Sequence, residues 1–394
     1  MEPQHESSGE REERMSAGRD RTLRIALGIR RLGALGGLEN LCLQVSAALM
    51  ARGHELTIFT AGEPVAAPAK VVYLNDSVRA YTNHGRMEEF AAAFGQATGA
   101  GFDRVVAFQP MPADILVSAD SLFDKPDTAF LKRYTPRFRT YSRLEAQCLA
   151  GDGGAYLIGL DDKQVKAFAA HYSLPANRCA VLPPTLDPGC RWPLDLSEAE
   201  RRELRARFGV SQDRLVLLWI GLQPMTKGLD RLVDVLATMP EAELLVCGLA
   251  ETARKVQPIL RRAQRAGTAG RVHCLGFLRH DDERFFEVLR ASDVLAHPAR
   301  VETTGTVILE AIVNGLPAVT SELCGFSDHV RRANAGIVID DPFDAEHFRR
   351  ALVEVSAERA RYGANGIAYG ASEDLYQGVA RAVEMIEAGR VPAA

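Results

Sequence analysis

Leu295-Ala296-His297-Pro298-Ala299-Arg300-Val301-Glu302-Thr303-Thr304-Gly305-Thr306-Val307-Ile308-Leu309-Glu310-Ala311 reads as the end of a buried strand, a short loop and the opening of a helix. Its two glutamates stand eight residues apart, Glu302 in the loop and Glu310 inside the helix. Thr303, Thr304, Gly305 and Thr306 between them are small and leave backbone N–H groups open. The first N–H groups of a helix have no partners within it and its dipole is positive there, so such a start attracts phosphate. Glu310 is well placed to accept hydrogen bonds from ribose or sugar hydroxyls. The stretch therefore fits a ligand that carries both phosphate and sugar. Taken alone it fits equally a solvated loop and a helix start capped by Thr and Glu. The rest of the chain has to decide.

A length of 394 residues predicts two domains of ordinary size. The composition is globular, 47% hydrophobic and 25% charged, and a formal charge of -4 argues against a nucleic-acid binder. The seven cysteines, at 42, 148, 179, 190, 247, 274 and 324, form no CxxC and no Cys/His pairing at zinc spacing. Neither structural zinc nor a disulfide framework is expected, and a reducing cytosol fits. No run of 18 apolar residues is present, so no membrane span is expected. Residues 1–22 are polar and charged, unlike a secretory signal; they read as a disordered tail with Met15 as an alternative start.

The chain in order alternates strands and helices. Leu23–Gly28 is a first strand, Gly33-Ala34-Leu35-Gly36-Gly37-Leu38-Glu39 a glycine-rich turn, about 38–51 a helix and Glu55–Thr60 a second strand. A glycine turn there lets backbone approach a ligand. The spacing is not GxGxxG, so no nicotinamide cofactor is expected. Strands follow at 71–74, 104–108, 156–160 and 179–182, with a polar loop, Tyr81–Arg86, between the first two. Pro183–Gly189 is a turn-rich linker. A second series has strands at 215–220, 243–247, 272–274, 294–297, 318–320 and 337–339, separated mostly by helical patterns. The fold class is thus α/β, with two Rossmann-like domains facing a central cleft where ligands bind. The expected division is 23–190 for the N-terminal domain, 191–370 for the C-terminal one and 371–394 for a last helix packing back on the first.

Two further places bear charge. Within 120–149, Lys132, Arg133, Arg137, Arg139 and Arg143 interleave with Phe130, Tyr134, Phe138 and Tyr141. Cations for phosphates and aromatics for the headgroup level suit an anionic membrane surface, through 128–149. An exposed helix packed through its aromatics is the plainer reading. Gly221–Asp230 follows the 215–220 strand and brings Lys227 to the mouth of a helix, where it can neutralise charge on a phosphate leaving group or serve as an ordinary exposed lysine. It is not a Walker A loop.

Lys227-Gly228, followed by Glu302 and Glu310 in the second of two Rossmann domains, resembles the signature of the family 4 retaining glycosyltransferases, which have the GT-B fold. His297-Pro298-Ala299, Gly315-Leu316-Pro317 and Cys324-Gly325 fit the same family. Thr82–Arg86, Arg104–Phe108, Met111-Pro112, Asp162-Lys163-Gln164 and Leu182-Pro183-Pro184 are similar to a narrower group, the lipopolysaccharide core heptose I glucosyltransferases, as is the basic aromatic segment 128–149. The likeness covers about residues 23–380. It implies that Lys227 binds a diphosphate with the N–H groups of Gly305, Thr306 and Val307, that Glu310 holds the ribose of UDP and that Glu302 faces the donor sugar. It implies as well that Gly36 and Gly37 line the diphosphate and acceptor side of the first domain and that Asp120 lies near the reaction centre. Leu222 and Thr226 stand where the family often has arginine, leaving Arg300 or Arg279 to compensate, and Thr185 stands where glycine is common.

The resemblance implies glucosyl transfer from UDP-glucose to an inner-core heptose with retention, by a peripheral enzyme on the inner face of the cytoplasmic membrane. The chain has no DxD motif and a lysine with a helix dipole can stand in for a metal, so no metal or other cofactor is expected. The alternatives are another family 4 hexosyltransferase with a different donor or a lipid-linked acceptor, and a GT-B protein that binds membrane or a partner without turnover.

Overall fold

The computed structural model describes residues 21–33, 36–125, 128–191, 197–279 and 282–389. The tail expected over 1–22 lies outside them except for Arg21, whose guanidinium holds Asp103 at 2.9 Å, and Thr22. Two parallel sheets organise the rest.

The apolar runs decide which strands lie centrally. Strand β8, Leu215–Ile220, reads Leu-Val-Leu-Leu-Trp-Ile with no polar break, as a parallel strand covered on both faces must. Successive side chains point to opposite faces. Val216, Leu218 and Ile220 accordingly enter one buried cluster, and Leu217 and Trp219 enter another. The second sheet adds β9 (Ala242–Cys247), β10 (Val272–Gly276), β11 (Val294–His297), β12 (Ala318–Ser321) and β13 (Gly336–Ile339), in the order β10-β9-β8-β11-β12-β13. β11 repeats the alternation, Leu295 to one core and Val294 with Ala296 to the other.

The first sheet has seven strands, β1 (Arg24–Gly28), β2 (Glu55–Thr60), β3 (Lys70–Tyr73), β4 (Arg104–Ala107), β5 (Ile115–Ser118), β6 (Tyr156–Gly159) and β7 (Cys179–Val181), ordered β3-β2-β1-β4-β5-β6-β7. β5 has no counterpart in the sequence reading. Four apolar residues are too few to reveal a period, yet all four are buried and pair with β6 in parallel. The Tyr81–Arg86 loop also needs correction. Thr82 caps a helix, Asn83–Thr98, by accepting from Gly85 N–H at 3.1 Å, so His84 and Arg86 belong to its first turn.

Both sheets have the doubly wound order, which reverses beside the first strand of each series. One compact unit holds the described residues up to Gly159, Ala167–Ala180 and those from Val379 onward; the other holds Leu160–Lys166 and Val181–Gly378. The last helix, Gly378–Ala388, is tied into the first unit where Glu387 pairs with Arg52 at 2.7 Å and His54 at 2.8 Å. In the second unit Thr185 packs against Gly378, where a Cβ would stand 2.5 Å from the threonine methyl. The missing side chain at 378 thus accommodates the threonine at 185. No helix among the described residues is long and apolar enough to cross a membrane.

Candidate active site

In the second sheet the order reverses between β8 and β11, and loops leaving the carboxyl ends of such strands form ligand crevices. The loop after β8 carries Lys227 and the loop after β11 carries Glu302. The structure brings them together, the ammonium of Lys227 against Oε2 of Glu302, with side chains only 20% and 14% exposed.

Backbone contacts hold the two loops in that relation. Trp219 donates from its indole to Lys227 O at 3.0 Å, and Arg300 N–H donates to Thr226 O at 2.8 Å. Gly228 has φ +72°, and a Cβ there would stand 1.9 Å from Pro298 O. On the other side Gly325 N–H donates to Glu302 O at 3.0 Å, and Phe326 N–H to Thr304 O at 2.7 Å. A Cβ on Gly325 would stand 1.8 Å from Thr303 O. The Glu302 loop is therefore flanked by two glycine backbones.

Arg300, one of the two cations suited to compensate for the arginine absent before Lys227, is committed elsewhere. Its guanidinium forks onto Asp230, 2.7 Å to each oxygen, and donates to Met225 O at 2.6 Å. It acts as a strut between the Lys227 loop and its own.

Burial draws the Lys227 ammonium down to about 8, while the carboxylate touching it favours the charged form. His297, at the end of β11 with 1% exposure, is pushed down to about 3, first by burial and then by the Lys227 charge. It is neutral at physiological pH. The helix Thr306–Val313 follows the Glu302 loop with Gly305 as its N-cap at φ +85°, and no side chain caps it. Its first N–H groups, at Thr306 and Val307, are thereby left for a ligand. Glu310 lies one turn further along the same helix and is 7% exposed.

The other expected site residues are in the first unit. Gly36 is the extended N-cap of the helix Gly37–Ala51, and the Glu39 carboxylate folds over it so that a Cβ on Gly36 would meet Oε2 at 2.3 Å. A Cβ on Gly37 would meet nothing within 4 Å. Asp120 is exposed two residues beyond β5. Its charge adds to the burial that raises the carboxyls of Glu39 and Glu145. Asp120, Glu39 and Glu145 thus form an acidic group whose members come from three separate segments. Sequence reading missed Glu39 and Glu145 because no motif links them.

Glu145 is 3% exposed and accepts from Phe123 N–H at 3.1 and 3.2 Å and from the Tyr172 hydroxyl at 3.3 Å. Burial pushes it up to about 7. A carboxyl whose folded value exceeds its unfolded value binds its proton more tightly in the native state, so stability falls as pH rises from about 4.5 to about 7. Glu145→Gln keeps an acceptor for Phe123 and removes that ionisation. Thermal unfolding should show the variant gaining on the wild type between pH 5 and pH 8, by on the order of 3 kcal/mol at most. An unchanged difference between the two pH values would remove Glu145 from the acid–base balance of this unit.

The basic aromatic segment divides into inward and outward parts. Phe138 is buried and Tyr141 stacks on Phe123 at 5.1 Å. Phe130, Leu131 and Tyr134, in a 3-10 turn, are 69%, 80% and 55% exposed. Lys132 and Arg137 lie exposed beside them, and Arg139 covers the Tyr134 ring at 5.7 Å.

Comparison with known proteins bears on the family and the fold. Residues 200–368 match the family model described as glycosyl transferases group 1. The chain is 31% identical over 367 residues, 90% of its own length and 96% of the relative's, to the lipopolysaccharide glucosyltransferase WaaG of Escherichia coli strain K12. It superimposes on a crystal structure of WaaG, a glycosyltransferase involved in lipopolysaccharide biosynthesis, with a TM-score of 0.83 and 28% identity, covering 92% of this chain and 99% of that one. The Anabaena protein Alr3699/HepE, solved in complex with UDP-glucose, shares the fold at a TM-score of 0.67 and 18% identity, over 92% of this chain and 99% of its own.

Proposed function

Because the chain belongs to the glycosyl transferases of group 1, we propose that it moves glucose from UDP-glucose to a heptose of the lipopolysaccharide inner core, retaining the anomeric configuration. It is a nucleotide-sugar-dependent hexosyltransferase; the donor and acceptor are taken from its likeness to WaaG. The observation that carries the reading is the meeting of Lys227 with Glu302 beside an uncapped helix start at a sheet reversal.

In this reading Lys227 and the N–H groups of Gly305, Thr306 and Val307 bind the donor diphosphate. Negative charge grows on that diphosphate as the glycosidic bond breaks, and fixed donors aimed at it lower the barrier. Glu310 binds the ribose hydroxyls. Glu302 faces the glucosyl ring, whose reacting carbon gains positive charge. Gly36 and Gly37 line the diphosphate and acceptor side of the first unit, and Asp120 lies near the reaction centre. With retention on the front face, a diphosphate oxygen helps to remove the acceptor proton. The lysine and helix N-terminus neutralise the leaving group, so the reaction needs no metal.

Incubation with UDP-glucose and heptose-terminated lipopolysaccharide in EDTA, followed by mass and linkage analysis, tests the proposal. One added hexose on heptose is expected. Transfer abolished by EDTA and restored by magnesium or manganese would refute metal independence, and a faster reaction with another sugar nucleotide would reassign the donor.

The enzyme works at the inner face of the cytoplasmic membrane in this reading, docked through 128–149. Exposed Phe130, Leu131 and Tyr134 beside Lys132 and Arg137 support it. Sedimentation with vesicles containing phosphatidylglycerol should bring the protein down, and changing Phe130, Leu131 and Tyr134 together to Ser should leave it in solution. Equal binding by both proteins would place the contact elsewhere.

A further inference from the structure

Glu302 and Lys227, assigned above to two different parts of the donor, contact one another directly. The same carboxylate oxygen, Oε2, lies 3.5 Å from Nε2 of His297. Neither ring nitrogen of His297 has a hydrogen-bond partner among the described residues, although the side chain is 1% exposed. A buried N–H without a partner is an unfavourable arrangement that native structures seldom retain without a reason.

We propose that His297 is a positioning residue that takes over the Glu302 carboxylate when the donor diphosphate draws Lys227 away. The inference rests on the donor reading given above.

The ring is a fixed reference. His297 ends β11, which pairs with β8 and β12 on its two sides. Its carbonyl accepts from the Thr320 hydroxyl at 3.1 Å, and Ser321 donates to Ala299 O at 2.6 Å just beyond it. The neutral ring carries one N–H, and the acceptor that faces it is Glu302. At 3.5 Å that contact is longer than a formed N–H···O bond, and a movement of about 0.6 Å closes it. A diphosphate carries more negative charge than a carboxylate and competes with it for the ammonium. Once Lys227 turns to the phosphates, Glu302 would lose its cation, and the imidazole N–H supplies the replacement. The carboxylate then keeps its charge and a defined direction toward the sugar. Until the diphosphate is in place, Lys227 occupies it.

The test combines calorimetry with UDP and steady-state transfer from UDP-glucose to heptose-terminated lipopolysaccharide. His297→Leu fills the buried space without an N–H. It is expected to lower kcat at least 30-fold and leave the Kd for UDP within threefold. His297→Gln, which restores an N–H donor, should recover at least threefold of that loss. Glu302→Gln should bind UDP at least threefold more tightly than the wild type, because the diphosphate no longer competes for Lys227. A His297→Leu enzyme with wild-type kcat overturns the handover. So does one that loses UDP affinity and thermal stability together and is not rescued by Gln, because that pattern marks a packing role. A wild-type chain that transfers glucose yet shows no gain of UDP affinity in Glu302→Gln overturns the handover alone. A wild-type chain that binds no UDP overturns the donor reading and the handover with it.

Discussion

Alanine at Lys227 is expected to lower kcat/KM for glucosyl transfer by about 10³-fold or more. A surface lysine would matter far less. This one is 20% exposed, its carbonyl is held by Trp219 at 3.0 Å, and burial has already brought its ammonium down to about 8. A charge withdrawn from water in this way interacts more strongly with a phosphate than a solvated one does. Its own loop offers no second cation, since Leu222 and Thr226 are neutral, and the Arg300 guanidinium of the neighbouring loop is forked onto Asp230 at 2.7 Å. Alanine also leaves Glu302, 14% exposed, without its charge partner, and removing one member of a withdrawn pair destabilises what remains. Because the two side chains act on one another, Lys227→Ala/Glu302→Ala should lose little more activity than Lys227→Ala alone. Steady-state kinetics on the three proteins decides it. A Lys227→Ala enzyme within tenfold of the wild type would remove the lysine from the reaction.

What the sequence discloses depends on how local the signal is. β8 is legible because six apolar residues in a row have no other use in a chain of this composition. The Lys227 and Glu302 loops are legible for a related reason. Each follows such a strand, and glycine at 228 and at 305 marks where its helix begins. β5 is not legible, since Ile115–Ser118 is too short to show a period and owes its place to pairing with β6. The start of the helix Asn83–Thr98 is obscured for the opposite reason: His84, Gly85 and Arg86 look like loop, and only the Thr82 cap makes them a first turn. The aromatics of 128–149 show the same limit. Spacing does not reveal that Phe138 turns inward while Phe130 and Leu131 face out. Glu39 and Glu145 join Asp120 from remote segments, a proximity that only the packed fold creates. The strut from Arg300 to Asp230 spans 70 residues and is equally invisible in a linear reading.

Gly228→Ala should have the next largest effect, through the backbone rather than through charge. Two penalties apply at this position. The left-handed conformation, φ +72°, disfavours any Cβ by about 1 kcal/mol. The new methyl would also stand 1.9 Å from Pro298 O, and neither atom can be moved by a side-chain rotation. The loop after β8 and the loop after β11 would have to separate, and with them Lys227 and Glu302. Gly209 isolates the first penalty, since it has φ +70° in the same unit and a Cβ there meets nothing within 4 Å. Gly209→Ala should therefore cost about 1 kcal/mol and leave transfer and UDP affinity unchanged. Gly228→Ala should cost more than about 2 kcal/mol and lower kcat/KM by at least about 100-fold. Gly325→Ala, whose Cβ would stand 1.8 Å from Thr303 O on the far side of the Glu302 loop, should resemble Gly228→Ala in both respects. Thermal unfolding, UDP calorimetry and transfer rates on the three variants separate the outcomes. Equal effects at 209 and 228 would mean that backbone conformation alone sets the need for glycine. A loss confined to 228 and 325 would identify the close approach of three chain segments as what keeps the lysine and the glutamate in register.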